Sequence, residues 1–260
     1  MYSSRLGLVG RLVLALLAVF VFGGVATAVA QAESAPRWTV EEGGVKKILG
    51  KNETRLITIK ADTPLVLEVP NAQTKITCKE AKVASGAILI GSEAGEPGTS
   101  ETINEFSNCE VKGNGSECRK VKEPIVTKST RAELVLSAAK TTFLVEFKPK
   151  EGEEFTTIKF EGAVCLEKNV QIRGGVVGSI YTDPELTGKE AELVSSSSTD
   201  LLSSWLIKFP DAAEKVWLVK GGTGKEETAP TLKYGANAAT LEGSVLILLK
   251  SGGIFGAEVA

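Results

Sequence analysis

Four cysteines, Cys78, Cys109, Cys118 and Cys165, carry the best-defined chemistry in this 260-residue chain. A thiolate is a nucleophile, a metal ligand or half of a disulfide. The chain contains no histidine. That excludes Ser-His-Asp and Cys-His triads, His-ligated zinc and an imidazole pH switch. No C-x-x-C pair is present, so an all-cysteine zinc site would need four scattered ligands. Disulfides are the remaining reading, and four cysteines allow three pairings. Gly113-Asn114-Gly115 is a turn signal between Cys109 and Cys118, and it favours Cys109–Cys118, leaving Cys78–Cys165. In the chain-entropy model the longer bridge contributes roughly 4 to 5 kcal/mol and the shorter somewhat under 3.

Carboxylates come next. Of the 32 acidic residues only Asp62, Asp183, Asp200 and Asp211 are aspartates, and no D-x-[DN]-x-[DN]-G calcium loop occurs. Glycosidase chemistry needs two carboxyls about 5 to 10 Å apart. The densest cluster, Glu151, Glu153 and Glu154 around Gly152, reads as a solvated hairpin tip instead. Gly221-Gly222-Thr223-Gly224-Lys225 lacks the Ser or Thr of a phosphate loop and reads as a hairpin turn. G-x-S-x-G is absent, as is a βαβ rhythm. Sugar stacking would use exposed rings, for which Trp38, Trp205, Trp217, Tyr181 and Tyr234 are available. Trp205 and Trp217 lie in apolar runs that predict core packing. Asn52-Glu-Thr54 and Asn114-Gly-Ser116 are formal glycosylation acceptors. No catalytic residue, cofactor site or metal site is expected.

The N-terminus tells where the chain goes. Arg5 and Arg11 precede an uncharged apolar run, Leu12 to Phe22, and a small-residue tract ending Ala28-Val29-Ala30-Gln31-Ala32. This is the pattern of a secretory signal peptide over 1–32, with cleavage after Ala30 or Ala32. The competing reading is a membrane anchor, since Leu12 to Ala30 spans 19 uncharged residues; Gly23, Gly24 and Thr27 weaken it. Without the leader, 28 basic residues face 32 acidic ones, a net charge of −4. Nucleic acid finds no basic footprint there. No later run is long enough to span a bilayer, so a secreted or extracytoplasmic protein is expected, with a cell-envelope or polysaccharide partner.

From Thr54 onward, short β-type runs alternate with Gly, Pro, Asn and Ser. Expected strands include 54–60, 65–69, 75–78, 83–90, 102–106, 125–130, 133–137, 141–147, 156–160, 170–172, 176–181, 206–209, 215–219, 232–234 and 241–249. Phe143, Val145 and Phe147 share one strand face, as do Ile158 and Phe160, and Leu232 and Tyr234. Val245-Leu246-Ile247-Leu248-Leu249 does not alternate and reads as a central strand covered on both sides. The one helical candidate begins at Pro184 behind an Asp183 cap. Glycines at 86 and 91, and at 174, 175 and 178, suggest bulges and a faint internal echo that would pair Cys78 with Cys165. The expected fold is an all-β, antiparallel β-sandwich or barrel-like domain with disulfides. The expected organisation is a leader over 1–32, a linker over 33–52, a stapled β domain over 53–182 and a C-terminal β segment over 183–260, of the same domain or a second one.

The pattern Phe106-Ser107-Asn108-Cys109-x-Val111-x-Gly113-Asn114-Gly115-x-x-Cys118, followed by Ile125-Val126-Thr127, Ala132-Glu133-Leu134, Phe147-x-Pro149 and Phe160-x-Gly162 before Cys165, resembles uncharacterised secreted β-rich, cysteine-containing proteins of soil actinobacteria. The resemblance implies an exported bacterial β-protein and carries over no residue role. The function expected is therefore an exported, non-enzymatic structural, adhesive or binding module. The alternative is a carbohydrate-binding module or a carboxylate-dependent carbohydrate-active hydrolase.

Overall fold

The computed structural model describes residues 33–260 except 114–117, 119, 163, 166, 188–189, 199–200, 210–214 and 229–230. The expected leader lies outside the described residues, as does the Asn114 acceptor. The strands are β1 (Pro36–Glu42), β2 (Val45–Ile48), β3 (Thr54–Ala61), β4 (Leu65–Val69), β5 (Thr74–Ile90), β6 (Thr99–Lys112), β7 (Lys120–Val121), β8 (Ile125–Val126), β9 (Thr130–Ser137) and β10 (Phe143–Pro149). They continue as β11 (Glu154–Glu161), β12 (Asn169–Arg173), β13 (Val176–Thr182), β14 (Ser204–Phe209), β15 (Lys215–Lys220), β16 (Thr223–Thr228), β17 (Lys233–Tyr234), β18 (Asn237–Ala238), β19 (Thr240–Leu249) and β20 (Phe255–Val259).

Eight strands close a ring. In order they are β3, β5, β6, β9, β10, β13, β14 and β19, each pairing antiparallel with the next, and β19 returns to β3. Ring order equals chain order, so this is an up-and-down barrel, the arrangement that leaves no open edge in the main wall. Of the two architectures expected, the barrel is the one formed. Alternation along the strands divides inside from outside. Ile57 and Ile59, Leu134 and Leu136, Phe143, Val145 and Phe147, Ile207, and Val245, Ile247 and Leu249 join one buried core. Val135, Leu144 and Val177 have the opposite parity and form a second cluster on the outer wall, covered by Val216 and Leu218 of β15.

The remaining strands close the ends. β2, β1 and β20 form a three-stranded sheet at one end. There Phe255 lies 6.4 Å from the Trp38 ring and 6.1 Å from the Trp205 ring, centroid to centroid. The segment 33–52 is therefore not the expected linker. Trp38 and Val40 are apolar anchors in it, and Trp38 Nε1 donates to the Thr99 carbonyl at 2.8 Å. At the other end a five-stranded sheet, β18-β17-β12-β11-β7, is assembled from insertions between barrel strands. The segment 183–260 supplies β14 and β19 to the ring and β17 and β18 to this cap, so it completes the barrel.

Local expectations hold at several points. Asp183 Oδ1 accepts the Glu185 N–H at 2.9 Å at the start of a single helical turn, Pro184–Thr187. Gly86 has φ +65 inside β5, beside a register shift against β6, and it marks a bulge. The runs expected at 75–78 and 83–90 are parts of one strand.

Candidate functional site

Between the barrel and the five-stranded cap lies a cavity of about 150 Å³. Barrel residues Ile59, Ala81, Phe106, Phe147, Phe209 and Val245 line one side of it. The cap contributes Phe155, Ile158 and Ile172, and the β4 extension contributes Leu65 and Leu67. The cavity follows from the architecture. An eight-stranded ring has an interior just wide enough to be filled by side chains or to hold one small ligand, and at this end small Ala81 and three threonines replace bulky residues on the wall.

Among the described residues no charged side chain lines the cavity. Its polar lining is Asn104, Thr127, Thr130 and Thr156. Two of the hydroxyls are tied to backbone: Thr130 Oγ1 donates to the Thr102 carbonyl at 2.9 Å, and Thr156 Oγ1 donates to the Val126 carbonyl at 2.7 Å. Asn104 and Thr127 lock to each other. The Asn104 N–H donates to Thr127 Oγ1 at 2.9 Å, and the Thr127 N–H donates to the Asn104 carbonyl at 2.9 Å. Asn104 Oδ1 accepts the Thr102 hydroxyl at 3.0 Å.

Both disulfides frame this end. Cys78, itself on the cavity wall, is bonded to Cys109, which faces it across the β5–β6 ladder. Cys118, just before β7, is bonded to Cys165, between β11 and β12. The pairing expected from the Gly-Asn-Gly turn, Cys109–Cys118 with Cys78–Cys165, is thus corrected. β6 runs unbroken to Lys112, so the register against β5 places Cys109 opposite Cys78 before the turn begins. The echo that linked Cys78 with Cys165 falls with it.

The other expected groups are dispersed. Glu151 and Glu153 are exposed between β10 and β11. Glu154 bonds Lys128 Nζ at 2.8 Å and the Thr157 hydroxyl at 2.6 Å, and the Lys128 ammonium holds its carboxyl below the usual range. These acids are a solvated tip. Gly221 and Gly222, at φ +58 and +74, form the β15–β16 hairpin turn. Trp38, Trp205 and Tyr234 are buried. Trp217 is half-buried, with Lys140 Nζ 3.6 Å above its ring centroid, and Tyr181 is half-buried beneath Lys208 at 4.4 Å. Burial, with the Glu167 carboxylate beside it, pushes the Tyr234 phenol far above its ordinary value.

The sequence reading missed Asn104, Thr127, Thr130 and Thr156, which look like ordinary strand-surface polar residues. A signal did exist for one of them: Thr130 has the same parity as the apolar Ala132, Leu134 and Leu136. It also missed a carboxylate pair on the outer wall, Glu133 on β9 opposite Glu146 on β10. Glu146 is buried with Lys148 Nζ at 2.6 Å, and burial raises the Glu133 pKa. The pair lies on the other side of the wall from the cavity.

Comparison of the chain with protein-family models, curated proteins and solved structures finds no match.

Proposed function

We propose that the protein is an exported, non-enzymatic binding protein that holds a small apolar molecule in the cavity between its barrel and its five-stranded cap. The apolar cavity of about 150 Å³ carries this reading. That volume matches an engineered, apolar-walled cavity in another protein that takes up benzene or xenon. Export is supported by the leader-like N-terminus and by two disulfides, which persist in oxidising compartments. Among structural, adhesive and binding roles the cavity favours binding. The carbohydrate reading draws less support, because the rings it would need on a surface are buried or half-buried.

The test is uptake of α-methylstyrene, a hydrocarbon of single-ring size. At ten times its Kd it is expected to stabilise the chain by about 1.4 kcal/mol, with methyl NMR shifts centred on Ile59, Leu65, Ile158 and Ile172. Filling the cavity with Ala81→Leu is expected to abolish both effects. Absence of any shift in the unmodified chain, or shifts centred elsewhere, would refute the reading.

A further inference from the structure

Resting on that reading, we infer that the ligand is a neutral molecule carrying one carbonyl-type oxygen, which is bound by Asn104 and Thr127. Among the described residues no lining side chain is charged, and against such a lining an ionised ligand would be buried without a counter-charge, at a cost of several kcal/mol or more. The polar wall is not uniform. Thr130 and Thr156 spend their hydroxyl protons on backbone carbonyls. Thr127 Oγ1 accepts from the Asn104 N–H, and among the described residues no acceptor takes its own proton, which it keeps to donate.

Asn104 uses Oδ1 as an acceptor for Thr102, while its Nδ2 makes no hydrogen bond among the described residues. Two unspent donors thus stand on neighbouring residues of a mostly apolar wall, and the reciprocal hydrogen bonds between Asn104 and Thr127 fix their spacing. A few placed polar groups in an apolar pocket set orientation and specificity. Donors here call for an acceptor on the ligand, and a ketone, lactone or ester oxygen supplies one. The remaining lining, including Phe106, Phe147 and Ile158, contacts the hydrocarbon body.

The test uses two shape-matched probes, acetophenone (C=O) and α-methylstyrene (C=CH2), titrated into the unmodified chain, Asn104→Leu and Thr127→Val. Within each protein the ratio of the two affinities cancels changes in folding stability or cavity volume. Loss of a donor is expected to lower the acetophenone to α-methylstyrene ratio about five- to tenfold in either variant. If both probes bind the unmodified chain and the ratio stays constant across the variants, the carbonyl inference is wrong while the apolar-binding reading stands. If neither probe binds the unmodified chain, the binding reading fails and takes the inference with it.

Discussion

Glu133 and Glu146 face each other across the β9–β10 ladder on the outer wall of the barrel. Like charges directly opposite each other destabilise a sheet, and this pair is also partly removed from water. Lys148 neutralises Glu146, lying 2.6 Å from its carboxylate. Among the described residues Glu133 has no such close partner: desolvation raises its pKa and Glu146 adds to the rise, while Lys148, Arg131 and Lys220 oppose it. An acid with a raised folded pKa holds its proton more tightly folded than unfolded. Below the ordinary carboxylate range it therefore costs nothing, and the penalty grows as pH rises from that range through the folded pKa. Glu133→Gln is expected to stabilise the chain at pH 7.5, with the gain fading by pH 4. Urea unfolding at the two pH values measures this, and an equal effect at both would show that ionisation of Glu133 is not the cause.

The disulfides carry a second prediction. Cys78–Cys109 spans 31 residues and Cys118–Cys165 spans 47. Loop entropy assigns each about 4 kcal/mol. Peptide mapping without reductant should recover these two pairs and no Cys109–Cys118 peptide. Their functional consequences should differ. Cys118–Cys165 ties together the β7 and β11–β12 parts of the cap, so the Cys118→Ser/Cys165→Ser double variant should lose α-methylstyrene uptake while the barrel remains folded. Retention of full affinity would show that the cap stays closed without this bridge.

What could be read from the sequence follows from how local each signal was. The expected β4 matches to the residue, and β3, β12, β13 and β19 match to within one residue at either end, because apolar alternation or a dense Val-Leu-Ile run belongs to the strand itself. β16, reading Thr-Gly-Lys-Glu-Glu-Thr, is an edge strand with no buried face of its own and left no pattern to find. β5 is split at the polar Lys79-Glu80-Ala81-Lys82 stretch and β6 is shortened to 102–106 because polar residues interrupt their apolar periodicity, and that hides the register that joins Cys78 to Cys109. Ring closure between β6 and β9 is a contact between distant segments with no local signature. The same holds for the cavity. Asn104 and Thr127 acquire their role from the curvature that turns them inward, and residue type alone does not encode that.

Gly178 supplies a packing test. It faces Val145 across the β10–β13 ladder on the inner wall, and a Cβ there would overlap Ile207 Cγ2. Overpacking of this kind costs about 1–3 kcal/mol. Gly178→Ala should lower stability by that amount, and adding Ile207→Leu, which removes the branched methyl, should restore part of it. A double variant whose loss is the plain sum of the two single losses would mean that the two residues do not interact.

At the far end of the barrel, β1 and β20 hold an aromatic cluster that closes the ring opposite the cavity. Trp205 Nε1 donates to the Phe255 carbonyl at 2.7 Å, and Trp38 packs against the same phenylalanine. Trp38 is 4% exposed, so truncating it empties a buried site whose walls are fixed by two sheets and cannot readily collapse. Trp38→Ala should cost about 3–5 kcal/mol. It should also admit water to the Phe255 face and shift Trp205 fluorescence to longer wavelength below the unfolding transition. Because the cavity lies at the opposite end, ligand affinity measured in the still-folded variant should change little. A large loss of affinity alongside intact secondary structure would instead mean that the two ends of the barrel are mechanically coupled.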